Sequence, residues 1–409
     1  MFSKLKKSIN NFKEQLHSKR KMISQNILFG VDIGTSSVKI VMAELSGLHD
    51  FQIIDTVEIR YLNSMDKKKY DIDVIKNSLL TGFKRLENEY SLELKTKKCL
   101  VALPFNAYYS EVQRINLVIK ENIVKYEHKL ELINKARELC RKGAVLHTIP
   151  IRYFIDDQEI KDPVGKTCDV LSIDVFLISY DAYIHEQLKN MFKSISVNTG
   201  RFIAPPLAFI NLFLNLNPKN RTEKSIVVDF GAESTYVYGI NNGSLTFFYN
   251  FGLGSEMVTR DIAQVLNVPV TLAKRLKENY VDLTWDHYEE KKTMVEGREL
   301  DLSLLQQVAF SRFEEIIETV EKKIEADNIL QNVETLILLG KGHPKGSALY
   351  LSNKWHLQEK SLETGYDSNI SNTIGLLHYS VNNEIFLPHV SGNNKSLLSK
   401  AMVWIENLF

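Results

Sequence analysis

The sequence has few cysteines, almost no net charge and no long apolar run. Its 3 cysteines, Cys99, Cys140 and Cys168, lack the spacing of metal ligands and predict buried thiols in a reducing cytoplasm. Because 51 Lys and Arg residues face 50 Asp and Glu residues, no general basic surface for nucleic acid is expected. No stretch of about 18 apolar residues occurs, so the sequence predicts no transmembrane helix. No apolar signal-peptide core follows the first lysines.

A Walker phosphate-binding loop is also absent, which excludes the P-loop fold. The chain has instead a short apolar strand that ends at Asp32-Ile33-Gly34, then the hydroxyl-rich turn Thr35 to Ser37 and a second strand. Such a hairpin can aim backbone N–H groups and hydroxyls at a phosphate, and Lys39 adds positive charge. Asp32 could hold a hydrated Mg²⁺. Taken alone, the same letters also fit an ordinary hairpin.

The hairpin pattern returns in the second half of the chain. A gapless alignment of residues 28–40 with 225–237 places Asp229 on Asp32 and Gly231 on Gly34, which indicates two related subdomains. A third glycine turn, Gly340-Lys341-Gly342, follows a buried strand. This combination is typical of the actin, Hsp70 and sugar-kinase superfamily, in which two lobes hold a nucleotide. The sequence therefore predicts an α/β, actin-like, two-lobed fold.

Beyond these turns, the chain resembles the FtsA family of bacterial cell-division proteins along nearly its whole length after residue 25. The most specific motif is IDDQEIKDPVG at 155–165. The other segments that carry the resemblance are His147–Pro150 with Tyr153, 258–262, 273–280 and 371–379.

The resemblance implies a division into subdomains. A charged helix is expected at about 120–142, inside the inserted module. The expected parts are a basic amphipathic extension (1–24), subdomain 1A (25–90, 164–200 and 366–383), an inserted subdomain 1C (91–163), subdomain 2A (201–235 and 327–365), subdomain 2B (236–326), a linker (384–396) and an amphipathic membrane-targeting helix (397–409).

The resemblance also implies ATP with Mg²⁺ as ligand, and weak or no hydrolysis. Asp32 and Asp229 would hold Mg²⁺ through water. Glu233 stands where the family usually has glycine, and its charge is unfavourable near phosphates unless the side chain points away, although Lys341 could offset it. The implied nucleotide contacts are Asp32, Gly34, Thr35, Ser36, Ser37 and Lys39 in the first hairpin, Asp229, Gly231 and Ala232 in the second, Lys277 near the ribose, and Gly340, Lys341 and Gly342 beside the adenosine.

Both ends of the chain predict contact with a membrane surface. Residues 1–24 combine helical apolar spacing with seven basic residues between Lys4 and Lys21. A solvated or docked helix is the alternative there. The C-terminal segment resembles the family's membrane-targeting helix, which implies a peripheral protein on the cytoplasmic side of the inner membrane at the division site. Its expected membrane contacts are Leu397, Leu398, Ala401, Trp404, Ile405, Leu408 and Phe409.

Partners follow from the same resemblance. The acidic, apolar C-terminal tail of the tubulin-like protein FtsZ is expected to bind subdomain 2B through Arg298 and Arg312. Self-assembly and contacts of the 1C module with later division proteins are also implied. The alternatives are a superfamily kinase acting on a small molecule, for which no general-base motif is found, and a pilus-assembly actin-like protein.

Overall fold

A computed structural model describes residues 26–46, 50–61, 71–92, 98–104, 107–284, 292–295, 297–340, 342–361 and 370–383. The chain divides into two units. The first comprises Met1–Pro104, Glu111–Leu212 and Asn372–Phe409, and the second comprises Phe105–Ser110 and Phe213–Ser371. Within the described residues, no helix is both long enough and apolar enough to cross a membrane.

The main sheet of the first unit has five strands in the order β3-β2-β1-β4-β9. The central strand β1 is buried at every position, and it runs antiparallel to β2 and parallel to β4. Helix α1 packs on this sheet, where the rings of Phe83 and Phe29 meet edge to face at 5.9 Å. The bounds are β1 Ile27–Ile33, β2 Ser37–Leu45, β3 Phe51–Arg60, α1 Ile72–Tyr90, β4 Lys98–Ala102 and β9 Asn198–Ile203.

A second sheet of four strands, in the order β5-β8-β6-β7, follows β4 in the chain. One of its faces packs on helix α2, and the shared core includes Ile115, Leu132, Ile133, Ile173 and Val175. The bounds are β5 Tyr108–Val118, α2 Tyr126–Glu138, β6 Ala144–Ile155, β7 Gln158–Ile160 and β8 Val170–Tyr180.

Three further helices complete the first unit. Helix α9 comes so close to α4 that a Cβ on Gly375 would lie 2.2 Å from the carbonyl oxygen of Ala208, so only glycine fits at this crossing. The bounds are α3 Ala182–Ser194, α4 Pro205–Leu216, which continues into the second unit, and α9 Ser371–Asn382.

The sheet of the second unit has the order β12-β11-β10-β15-β16. Its first three strands pair antiparallel and the others parallel, as in the main sheet of the first unit. The internal repeat predicted from the sequence is therefore confirmed at the level of strand order and direction. The bounds are β10 Ser225–Phe230, β11 Thr235–Asn241, β12 Ser244–Phe251, β15 Thr335–Leu339 and β16 Gln358–Glu359.

The helices of the second unit bury one apolar stripe each. The longest, α7, begins where the Asp301 carboxylate accepts the backbone N–H groups of Ser303 and Leu304, which is a typical N-cap. The remaining bounds are α5 Ser255–Val265, α6 Val270–Tyr280, β13 Lys292–Val295, β14 Arg298–Asp301, α7 Leu302–Ala326 and α8 Ser347–Trp355.

The inserted module does not follow the bounds predicted for it. Strand β4, which the range 91–163 would include, pairs with β1, whereas β8, outside that range, pairs with β6. The helix expected at about 120–142 is shorter, because the segment before it bonds to a loop instead: the N–H of Val124 donates to the Lys166 carbonyl. The other subdomain bounds stay a prediction. The extension 1–24, the linker 384–396 and the segment 397–409 lie outside the described residues.

Candidate functional site

The first turn, Gly34–Ser37, joins β1 to β2. The N–H of Gly34 donates to the carbonyl of Ser37 at 2.9 Å, which closes the turn. Thr35 is half-buried and Ser36 is exposed. Within the described residues, the three hydroxyl groups of the turn make no hydrogen bond. The Thr35 and Ser36 hydroxyls are therefore available to a ligand that accepts hydrogen bonds, such as a phosphate, whereas Ser37 is buried.

Asp32 lies directly before this turn and is only 2 % exposed. Its Oδ2 is 3.7 Å from the Nζ of Lys39, which faces it across the hairpin. Its Oδ1 is buried and has no hydrogen-bond partner among the described residues. Burial raises the pKa of this carboxyl group, and Lys39 opposes that shift. A buried carboxylate oxygen without a partner is unfavourable, so this oxygen fits a ligand that brings a cation or a hydrogen-bond donor.

Tyr61 belongs to the same site, although sequence reasoning did not find it. Its hydroxyl donates to the carbonyl of Gly34 at 3.2 Å, and its backbone N–H donates to the Ser36 carbonyl at 2.9 Å. Burial, with the Asp32 charge as a second cause, raises the pKa of the Tyr61 phenol. The residue follows strand β3 directly, and this end-of-strand position was the one available signal.

The second turn, Gly231–Ser234, has the same geometry as the first. The N–H of Gly231 donates to the carbonyl of Ser234 at 2.9 Å. Asp229 is half-buried at the end of β10, in the position that Asp32 holds at the end of β1. Ala232, which is also half-buried, lies between Gly231 and Ser234 in the turn. The repeat therefore extends from strand order to turn geometry.

The third glycine turn packs directly on the second. Strands β10 and β15 are parallel with Asp229 opposite Leu339, so both turns leave the same end of the sheet. A Cβ on Gly340 would lie 2.4 Å from the Phe230 carbonyl oxygen, and one on Gly342 would lie 2.5 Å from the same atom. Any side chain at either position would displace the second turn. The intervening Lys341 lies outside the described residues.

The start of helix α5 supports the second turn from another side. The N–H groups of Ser255 and Glu256 donate to the carbonyls of Gly231 and Ala232, at 3.0 and 2.8 Å. Lys277, expected near a ribose, is 5 % exposed and donates from Nζ to the Ser255 carbonyl at 3.1 Å. Burial lowers the pKa of Lys277 to about 8.

Glu233 does not lie beside the second turn as an unbalanced charge. Its side chain is 4 % exposed, and its Oε1 accepts a hydrogen bond from Nη2 of Arg260 at 2.8 Å. The sequence had pointed to Lys341 as a possible counter-charge. Arg260, on helix α5, supplies that charge in the structure and was missed because the two residues are distant in the chain.

Arg312 and Arg298 are the two arginines expected to bind a partner's tail. Arg312, on helix α7, binds the carboxylate of Asp261 through Nε and that of Glu315 through Nη1, the latter at 2.5 Å. The Asp261 hydrogen bond raises the pKa of the Arg312 guanidinium. Arg298 begins strand β14, and its side chain lies outside the described part of the structure.

No group of three or more His, Cys, Asp or Glu side chains within the described residues is arranged to hold a metal ion. A nucleotide-bound Mg²⁺ usually keeps several waters and needs only one or two carboxylates beside the phosphates. The free Oδ1 of Asp32 fits such an ion.

Comparison with known proteins gives a consistent family. The model described as "Cell division protein FtsA" matches residues 226–348, and the model "SHS2 domain inserted in FTSA" matches residues 108–179. The second match covers the sheet of β5 to β8 with helix α2.

Curated relatives agree with these models. The chain is 25% identical over 331 residues to cell division protein FtsA of Streptococcus pneumoniae serotype 2, covering 78% of this chain and 71% of the relative. It is 24% identical over 336 residues to FtsA of Bacillus subtilis, covering 78% and 74%. Against FtsA of Enterococcus hirae it is 24% identical over 396 residues, covering 93% and 87%.

Solved structures show the fold. The chain resembles a chain of the PilM-PilN type IV pilus biogenesis complex with a TM-score of 0.59 and 14% identity, covering 89% of this chain and 99% of that one. It resembles MreB5 of Spiroplasma citri with a TM-score of 0.52 and 13% identity, again covering 89% and 99%. These likenesses establish the actin-like fold, whereas the two family models and the curated relatives decide the family: the chain belongs to the FtsA family of cell division proteins.

Proposed function

We propose that this chain binds ATP with Mg²⁺ and that the bound nucleotide controls its assembly into polymers, with weak or no hydrolysis. The observation that carries the proposal is the buried Oδ1 of Asp32, which has no partner among the described residues. The Asp32 carboxylate faces Lys39 and directly precedes the hydroxyl-rich turn. A metal-bound phosphate supplies both the cation and the acceptors that these groups require. The shared fold adds support, since MreB5 of Spiroplasma citri is bound to ADP in one structure and AMPPNP in another.

The proposal assigns a role to each residue of the expected set. Asp32 and Asp229 would hold the ion through water. The proposed phosphate, ribose and adenosine contacts that the structure describes are Gly34, Thr35, Ser36, Ser37 and Lys39 in the first unit, and Gly231, Ala232, Lys277, Gly340 and Gly342 in the second.

Titration with a fluorescent ATP analogue tests the proposal. Asp32→Asn should weaken binding at least about tenfold, because it removes the carboxylate proposed to hold Mg²⁺. Lys39→Met should weaken binding to a similar extent, because it removes a positive charge from the phosphate site. The matched control is the exposed pair Glu186 and Lys189 on helix α3, with Nζ and Oε2 3.2 Å apart, changed to Gln and Met. Unchanged affinity in both site variants, or an equal loss in the controls, would refute nucleotide binding at the first turn.

At the level of the cell, we infer that the protein anchors FtsZ polymers to the cytoplasmic side of the inner membrane at the division site. The family supports this proposal, together with the apolar residues of 397–409 and the basic residues of 1–24. Flotation with vesicles of anionic lipid tests it. Deletion of 397–409 should abolish binding, and deletion of 1–24 should weaken it, whereas unchanged binding of the first variant removes the anchor.

We propose that the C-terminal tail of FtsZ binds this chain at Arg298 and Arg312. We also propose that the SHS2 module recruits later division proteins. Since Arg312 already binds Asp261 and Glu315, a tail carboxylate would replace the exposed Glu315. Arg298→Glu and Arg312→Glu should each reduce the affinity for an FtsZ tail peptide. Lys322→Glu, exposed on the same helix α7, is the control. Equal affinities in all three variants would exclude this site.

A further inference from the structure

We propose that Glu233 and Arg260 form a specificity-determining pair that sets how strongly the second turn attracts nucleotide phosphates and that separates triphosphate from diphosphate. This inference rests on the proposed nucleotide binding. It assigns a role to two residues that the expected set of contacts does not include.

The pair joins a buried charge to a half-exposed one. The Glu233 side chain is 4 % exposed and the Arg260 side chain 46 %, with 2.8 Å between Oε1 and Nη2. A buried carboxylate with a charge-assisted hydrogen bond to arginine is held firmly in place. The negative end of the pair therefore lies inside the second turn, and its positive end is accessible at the surface of helix α5.

Backbone hydrogen bonds fix the pair relative to the turn. Ser255 and Glu256, in the first turn of helix α5, donate to the carbonyls of Gly231 and Ala232. A Cβ on Gly254 would lie 2.5 Å from the Ala232 carbonyl oxygen, so helix and turn are in direct contact. Because Arg260 is on this helix and Glu233 is in this turn, these bonds keep the backbones of the two residues close together.

Arg260 keeps donors to spare. A guanidinium group has five N–H donors, and the described residues occupy one of them, at Glu233. The unused donors suit phosphate oxygens, which arginine binds with a planar fork. With both members present the turn carries no net charge from the pair. Removing either member would change the charge of the second turn by one unit, with a known sign.

The sign of that charge predicts opposite effects for the two single variants. Glu233→Gln keeps the size and one acceptor of the side chain and leaves Arg260 unbalanced. It should therefore bind ATP about fivefold more tightly and ADP about twofold. Arg260→Gln removes the positive member of the pair and should weaken ATP binding about fivefold and ADP binding about twofold. The double variant should return both affinities to near those of the parent.

Isothermal titration of the full chain with ATP and ADP measures these affinities. The matched control is the Lys224–Glu334 pair, 3.7 Å apart at the opposite end of β10 and β15, with the same changes to Gln. A pair with a purely structural role would shift ATP and ADP equally, and that result would overturn the inference, as would shifts no larger than those of the control. Glu233→Gln retains a hydrogen bond to Arg260 and should fold, which thermal unfolding checks.

The two proposals can fail separately. ATP binding that depends on Asp32 but is unaffected by both pair variants overturns this inference alone. A parent protein that binds no nucleotide overturns the proposed function and this inference with it.

Discussion

The imidazole Nε2 of His147 accepts a hydrogen bond from the backbone N–H of Ala204, with 3.0 Å between the nitrogens. His147 lies in β6 of the second sheet, and Ala204 directly follows β9 of the main sheet, so the bond links the two sheets of the first unit. The His147 side chain is fully buried, and its Nδ1 has no partner among the described residues. The His147 bond is therefore a buried contact between the two sheets, and the bond from the Tyr180 hydroxyl to the Pro104 carbonyl at 2.8 Å is a second one.

We expect His147→Ala to lower the free energy of unfolding by about 3 kcal/mol, because it opens a cavity and leaves the Ala204 N–H without an acceptor. Urea unfolding followed by circular dichroism measures this change.

His128 provides the control. It accepts the Lys125 N–H through Nδ1 at 3.1 Å, but at an exposed position where water can replace it. His128→Ala should cost no more than about 1 kcal/mol. Equal losses in the two variants would show that burial of the His147 bond is unimportant.

The local features of this fold could be predicted from the sequence. The strand, the aspartate and the glycine of each hairpin are contiguous, so the alignment of Asp32 with Asp229 predicted two related subdomains. The two five-stranded sheets agree with that prediction. Helix α7 has equally local signals, since its apolar stripe and its N-cap Asp301 lie within one continuous segment.

The features that depend on distant packing could not be predicted. Arg260 reaches Glu233 only because helix α5 docks on the second turn. Strand β8 pairs with β6, although β8 lies beyond residue 163, the predicted end of the inserted module. Tyr61 contacts Gly34 because β3 pairs with β2, a register that single strands do not reveal.

Stability in mild acid should depend on His378. Burial lowers the pKa of this residue to about 4, with Asp50 opposing the shift, and its ring packs 4.8 Å from that of Phe51. An ordinary histidine has a pKa near 6.5. Between about pH 4 and 6.5 the unfolded chain therefore binds this proton and the folded chain does not, so the free energy of unfolding falls as the pH falls.

We expect His378→Gln to reduce that slope by up to about 1.4 kcal/mol per pH unit, the value for one proton. Urea unfolding, repeated at steps of about half a pH unit between about pH 4.5 and 7, would measure the slope. A slope identical to that of the parent would contradict the assignment.

The buried Lys277 should lower the stability of the folded chain. Because burial lowers its pKa to about 8, the folded chain releases this proton well below the ordinary pKa of lysine. Stability should therefore rise with pH between about 8 and 10.5, where the unfolded chain still holds the proton. We expect Lys277→Met to raise the free energy of unfolding at pH 7 by on the order of 2 kcal/mol, and to remove that rise.

The same variant should bind ATP about fivefold more weakly if Lys277 reaches the nucleotide. Lys274→Met, exposed on the same helix α6, should change neither stability nor affinity. A stabilised Lys277→Met protein with unchanged ATP affinity would remove Lys277 from the proposed contacts.

Gly340 tests whether the third glycine turn supports the second. Its φ is +85°, and an added Cβ would lie 2.4 Å from the Phe230 carbonyl oxygen and 3.0 Å from Oδ1 of Asp229. Gly165 has a similar φ of +79°, but no atom lies within 4 Å of its added Cβ. Alanine therefore meets similar backbone strain at both positions and a steric clash at only one.

Gly165→Ala should lower the free energy of unfolding by about 1 kcal/mol, from backbone strain alone. Gly340→Ala should lose roughly a further 1–3 kcal/mol, because the clash must be relieved by moving the end of β10. That movement displaces Asp229 and the second turn, so ATP affinity should fall at least about tenfold in Gly340→Ala and stay unchanged in Gly165→Ala. Urea unfolding and ATP titration on the two proteins measure both effects. Equal behaviour of the two variants would mean that the second turn can shift without loss, and that nucleotide affinity does not depend on its position.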